Sequence, residues 1–225
     1  MSIYVIFIAI AVLSYLVQTN LNNKFRRYSK VPAPMGLTGK EVAERMLAQN
    51  GIRNVIVTQI DGHLTDHYNP TNHTVNLSKD VYYGNNISAI AVAAHECGHA
   101  VQHATAYSFL KLRSNLVPIV SIASKFTPWI LLAGIVTIET FPMLMLLGII
   151  LFASTTLFSF VTLPVEINAS QRALDWLNYT GITSGTTQEQ AKDALKSAAY
   201  TYVVAALSSL ATLVYYIVIF TSRRD

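Results

Sequence analysis

The chain alternates between long apolar runs and shorter segments with helical or strand periodicity. Residues 3–17 are apolar apart from Ser14 and two tyrosines. Leu116 to Ile138, Phe141 to Leu163 and Ala198 to Phe220 form three further runs, each about as long as a helix that crosses a bilayer. Pro118, Lys125 and Pro128 interrupt the second run; the lysine reads as snorkelling, or as a helix lying partly in protein. The first run, extended to Gln18, has no basic segment before it and no A-x-A site. Lys24, Arg26, Arg27 and Lys30 follow it, which predicts an uncleaved anchor with its C-terminal side in the cytoplasm.

Between the runs the pattern shortens. Val31-Pro-Ala-Pro-Met-Gly-Leu reads as a linker, and Thr38 with Glu41 has the spacing of a capping box. Val42, Ala43, Met46 and Leu47 give the following helix its apolar face, and Asn50-Gly51 ends it. Two β segments are expected at Asn54 to Ile60 and Leu64 to Tyr68, joined as a hairpin by Asp61-Gly62. A turn at Asn69 to Asn72 leads into a strand at His73 to Leu77, an expected edge for an extended substrate. A helix capped near Asn86 or Ser88 then runs to about Tyr107. The polar stretch from Glu166 to Ser197 begins as a helix with Pro164 near its start, placing Glu166 in the first turn.

Composition agrees with this division. The 225 residues are 52% hydrophobic and 12% charged, against about 25% charged in a soluble domain. Mean hydropathy is +0.39, so the chain reads as a membrane protein with a modest polar part. The net charge of +4 is small and clustered beside apolar runs, which assigns the basic residues to orientation and excludes a nucleic-acid partner. The single cysteine, Cys97, cannot form an intramolecular disulfide and reads as a small filler.

The candidate chemistry lies on the helix at Ala91-Val-Ala-Ala-His-Glu-Cys-Gly-His-Ala-Val-Gln102. His95 and His99 are four apart, so they share a face at a rise of about 6 Å and can address one cation. Zinc suits neutral imidazole. Glu96, one position round the helix, can take a proton from a water at the metal without being a ligand. Two histidines and a glutamate among Ala and Val would be costly without such a role. His103 lies about 12 Å beyond His95 along a straight helix, too far to share the ion. Position 105 is Thr, which excludes H-E-x-x-H-x-x-G-x-x-H.

A third ligand must return to the side of His95. Glu139 stands at the far tip of a hairpin of spans, whereas Glu166 follows the span that returns. Glu166 is the favoured ligand, with Asp175, Glu189 and Asp193 as more distant competitors. Strand alternation places Asp66 and Tyr68 on one face and His67 on the other. His63, His67 and His73 read first as edge polar residues, with His67 the one of them that could line a cleft. Arg172, His67, His103 and Tyr68 are the candidate oxyanion donors.

The pair H-E-x-x-H and E-x-x-A-S, with Leu64-Thr-Asp-His-Tyr68 and Leu77-Ser78, resembles the YugP-type membrane zinc metallopeptidases of bacteria over nearly the whole chain. It is more distantly similar to the HtpX-type membrane metallopeptidases and CAAX-prenyl proteases, where a glutamate in E-x-x-x-D completes the zinc site. The resemblance implies His95, His99 and Glu166 as zinc ligands and Glu96 as general base. The departure is Ser170 in place of Asp, a hydroxyl that orients a histidine without charge.

The fold expected is a mainly α-helical polytopic membrane protein with a small α+β, zincin-like catalytic region. Its expected layout is an anchor at 1–18, a cytoplasmic catalytic region at 19–115 with short β-hairpins, and a hairpin of spans at 116–163. A cytoplasmic helix and loop at 164–197, a span at 198–220 and a tail at 221–225 follow. The function implied is a zinc metalloendopeptidase of the cell membrane, multi-pass and facing the cytoplasm, cutting membrane or membrane-proximal proteins. A zinc-stabilised adaptor that binds a partner without cleaving it is the alternative, and a membrane hydrolase of amides or lipids uses the same parts.

Overall fold

The computed structural model describes residues 3–222; Met1, Ser2 and the last three tail residues lie outside the described residues. In chain order the elements are α1 (Ile3–Tyr28), a short 3-10 turn (Pro34–Gly36), α2 (Gly39–Gln49), β1 (Ile56–Ile60), β2 (His67–Asn69) and β3 (Thr74–Ser78). Then come α3 (Lys79–Tyr82), α4 (Ile87–Ala104), α5 (Ser108–Val136), α6 (Pro142–Tyr179) and α7 (Gly185–Ser222). The chain is mainly helical with one small mixed sheet, and α5, α6 and α7 are long and apolar enough to cross a membrane.

One compact unit comprises residues 11–107 and 165–201. Its core joins Val42, Ala43 and Met46 of α2 to Val75 and Leu77 of β3, Ile90, Ala94 and Cys97 of α4, and Leu177 and Leu195. The capping box forms as the spacing predicts: Thr38 N–H donates to Glu41 Oε2 at 2.8 Å and Glu41 N–H to Thr38 Oγ1 at 3.3 Å. Asn86 caps α4 by accepting from Ala89 N–H at 3.0 Å. Small residues line α4 because almost its whole circumference is buried; a bulky helix could not be enclosed so closely.

The sheet differs from expectation. Its order is β1-β3-β2, with β1 parallel to β3 and β2 antiparallel to it. The hairpin expected at Asp61-Gly62 does not form; among the described residues the one hairpin is β2–β3. Asp66 explains the difference, since its carboxylate accepts from Ser78 N–H at 2.7 Å and Ser78 Oγ at 3.1 Å. These bonds tie the loop after β1 to the far end of β3, so β3 is left to pair with β1. As the central strand, Thr74–Leu77 is flanked on both sides and is not the edge expected for a substrate.

The second unit comprises, within the described residues, 3–10, 108–164 and 202–222. Leu131, Ile138, Met145 and Ile149 form its small core, with Phe152, Leu213 and Tyr216 packed on it. A Cβ at Gly134 would stand 2.6 Å from Met145 Cα, so glycine there permits the close return of the chain after the turn at Thr137–Thr140. Pro118 and Pro128 lie inside a continuous α5, and Lys125 is exposed.

Two helices outrun their expected bounds. The third apolar run and the helix after it merge into α6 straight through Pro164. Glu166 is therefore in mid-helix and not in a first turn, where the helix dipole would have favoured it. An interior proline removes one hydrogen bond, and the helix nevertheless continues across it. At about 1.5 Å per residue, the 38 residues of α6 exceed what a bilayer core of about 30 Å accommodates. The last apolar run likewise continues the helix that begins at Gly185.

Candidate metal centre

The side chains of His95 and His99 leave α4 on one face, one turn apart, with ring centroids 4.8 Å apart and planes at 83°. Glu166 meets them from α6. Its Oε2 lies 3.4 Å from His95 Nε2 and 3.5 Å from His99 Nε2. These separations are long for hydrogen bonds, whose mode is about 2.9–3.0 Å. They match the edge of a tetrahedron with metal–ligand bonds of about 2.0–2.2 Å, roughly 3.3–3.6 Å. Among the described residues, this is the one group of three potential ligands whose donor atoms converge, all within 4.8 Å. Two imidazoles and a carboxylate are a donor set that zinc accepts, leaving one position for water.

The close approach of α6 depends on Gly98. A Cβ there would stand 2.5 Å from Ala169 O, so only glycine lets the main chain carrying Glu166 come this near the histidines. Burial works against ionisation of Glu166, but the two adjoining imidazoles of His95 and His99 outweigh it and lower the carboxyl's pKa from its ordinary range.

Each histidine is held at Nδ1. Ser170 Oγ lies 3.1 Å from His95 Nδ1, the hydroxyl contact expected at the position that departs from Asp. Gln102 Oε1 lies 3.0 Å from His99 Nδ1. Gln102 Nε2 donates in turn to Val165 O at 2.8 Å and Asn168 Oδ1 at 3.0 Å. Glu96 is 8% exposed, and its Oε2 accepts from the main-chain N–H of Tyr68 at 3.0 Å. β2 is an edge strand, and this bond from its Tyr68 amide aims the carboxylate.

Sequence reasoning missed Gln102, Asn168 and the Tyr68 amide. Gln102 had a signal: it stands three residues after His99 on a helix otherwise lined with small apolar residues. The other candidates are not in the cluster. His67 is exposed, its Nδ1 2.8 Å from Thr65 O and its Nε2 3.2 Å from Asn76 Nδ2. Tyr68 Oη lies 3.0 Å from Nδ1 of the exposed His103, and Arg172 Nε donates to Asn168 Oδ1 at 2.8 Å. Asp175 is exposed, and Glu189 pairs with Lys192 at 3.9 Å. Asp193 binds Lys24 Nζ at 2.6 Å and Tyr28 Oη at 2.7 Å. Cys97 is buried with Sγ 3.5 Å from Ala43 O, a filler as expected.

A family model described as "Putative neutral zinc metallopeptidase" matches residues 3–221. Over 222 residues the chain is 44% identical to a Bacillus subtilis (strain 168) protein described as "Putative membrane protease YugP", covering 98% of each chain. No solved structure matches the chain.

Proposed function

The chain belongs to the neutral zinc metallopeptidase family, and from that premise we propose a membrane-embedded metalloendopeptidase acting on peptide bonds of membrane or membrane-proximal proteins. The observation that carries this reading is the convergence of His95, His99 and Glu166 with Glu96 held beside them. In this reading His95 Nε2, His99 Nε2 and the Glu166 carboxylate hold zinc. When bound, zinc supplies Lewis-acid polarisation of a carbonyl and lowers the pKa of a water to about 7.

The remaining work belongs to the chain. Tyr68 N–H occupies Glu96 Oε2, which leaves Oε1 to take a proton from the attacking water and return it to the leaving amine. Among the four oxyanion candidates, Tyr68 is the residue that touches Glu96, and its hydroxyl is paired with His103. The three long apolar helices and the relative's description as a membrane protease support the setting. Lys24, Arg26, Arg27 and Lys30 support a catalytic region made of residues 19–115 and 164–197 on the cytoplasmic side. Spans at 3–18, within 116–163 and at 198–220 complete the multi-pass layout.

The test compares the parent protein with Glu96→Gln on casein and on membrane fractions. The variant is expected to retain about one equivalent of zinc and to lose hydrolysis by several orders of magnitude, since it lacks the base. Parent-like cleavage by Glu96→Gln would refute the mechanism. Zinc binding by the parent without cleavage of any protein would favour the adaptor instead.

A further inference from the structure

We propose that Gln102 is a positioning residue that holds His99 in the tautomer able to bind a metal through Nε2. The proposal rests on the reading of His95, His99 and Glu166 as the zinc site. It starts from Arg172, whose Nε donates to Asn168 Oδ1 at 2.8 Å. A guanidinium has donors and no acceptor, so the Asn168 atom facing it is the amide oxygen. That oxygen lies 3.0 Å from Gln102 Nε2, which also lies 2.8 Å from Val165 O. Two acceptors at one end of the Gln102 amide fix that end as the NH2 group. The other end, Oε1, then faces His99 Nδ1 at 3.0 Å.

An amide oxygen only accepts, so Nδ1 of His99 must carry the hydrogen. Nε2 is left with its lone pair directed at Glu166. The amide orientation, ambiguous by shape alone, is set by the main-chain carbonyl of Val165, which can only accept, and agrees with the chain that ends on the donor-only Arg172. His95 differs: the Ser170 hydroxyl can donate or accept, so its contact leaves the tautomer open. Gln102 is completely buried, and its partners Val165 and Asn168 flank Glu166 on α6. One side chain therefore sets the ring of one ligand and ties it to the helical turn that supplies another.

The experiment measures zinc affinity of the full-length protein by competition with a chromophoric chelator, alongside melting temperature. Gln102→Met, similar in shape but without polar groups, is expected to weaken zinc about 10–100-fold. Asn168→Leu, which removes one of the two acceptors at the Gln102 NH2 group and leaves Val165 O, is expected to shift affinity in the same direction but by less than Gln102→Met. Asn168→Asp keeps an acceptor in place and is expected to bind zinc as the parent does. The Gln102→Met/Asn168→Leu double variant is expected to be no weaker than Gln102→Met alone, because both act on one chain. A merely structural role would lower melting temperatures without this ordering. If Gln102→Met does not fold, the two Asn168 variants decide the matter.

Glu166→Ala, measured in parallel, separates the two levels of the argument. Zinc lost in Glu166→Ala but retained at parental affinity in folded Gln102→Met and Asn168→Leu would overturn the positioning role alone. Undiminished zinc in Glu166→Ala would remove the metal site, and this proposal with it.

Discussion

Gly98→Ala is the sharpest perturbation available at the metal centre, because it adds one carbon and removes no ligand. The added Cβ would stand 2.5 Å from Ala169 O and 3.1 Å from Ala169 C and Cα. Ordinary contact begins near 3.4 Å, so α4 and α6 must part by about 0.9 Å or deform. Alanine favours the helix by about 1 kcal/mol over glycine, while overpacking costs roughly 1–3 kcal/mol. The net loss of stability is therefore small, roughly 0–2 kcal/mol. Zinc is less forgiving, since its ligand distances tolerate only about 0.2 Å. Separation of the helices withdraws Glu166 from the two histidines by several times that amount.

The expected result is a protein that folds, with a melting temperature near the parent's in the absence of metal. Its zinc affinity is expected to fall beyond the roughly 10–100-fold typical when a group bonded to a ligand is lost. Chelator competition and thermal unfolding measure the two quantities separately. Ala169→Gly is expected not to rescue the variant, because the obstruction is a main-chain oxygen. A Gly98→Ala protein that binds zinc as tightly as the parent and melts higher would refute the close-contact argument.

Two further outcomes follow from the structure. Glu166→Ala is expected to purify folded but largely zinc-free after brief dialysis against a mild chelator, while Asp175→Ala, which alters an exposed carboxylate, keeps its metal; metal analysis of both checks this, and the reverse pattern would refute the ligand assignment. Burial of Asp193 raises its pKa, but bonds from Lys24 and Tyr28 outweigh it and leave the carboxyl below its ordinary value. The clamp therefore adds stability above about pH 4 and loses it as pH falls through the lowered value. The melting-temperature gap between parent and Asp193→Asn should be steady from about pH 5 to 7 and shrink below about pH 4; a gap unchanged down to pH 2 would show that the carboxylate charge is irrelevant.

The convergence of His95, His99 and Glu166 was legible where its geometry is local. A spacing of four fixes a shared face on any helix, so His95 and His99 could be paired without knowing what surrounds them. Glu166 was reachable because a hairpin of spans and a family resemblance both pointed to it. Its helical setting differs from expectation, since Pro164 looks like a start signal yet lies inside a continuous helix. The sheet order depends on Asp66 reaching Ser78, twelve positions away, and no turn signal encodes that capture. Gln102 and Asn168 were illegible for a related reason: a buried amide and a surface amide read alike until the opposing helix is in place.

Cys97 is the chain's one thiol, wholly enclosed, and burial pushes its pKa up. Maleimides react with thiolates that they can reach, so the folded native protein is silent to them. A protein with reactive cysteines of its own must lose them before reporters can be added one at a time; this sequence needs no such preparation. A cysteine placed at position 30 would be the lone reactive sulfur, and the membrane side from which it is labelled could be read with every native residue elsewhere unchanged.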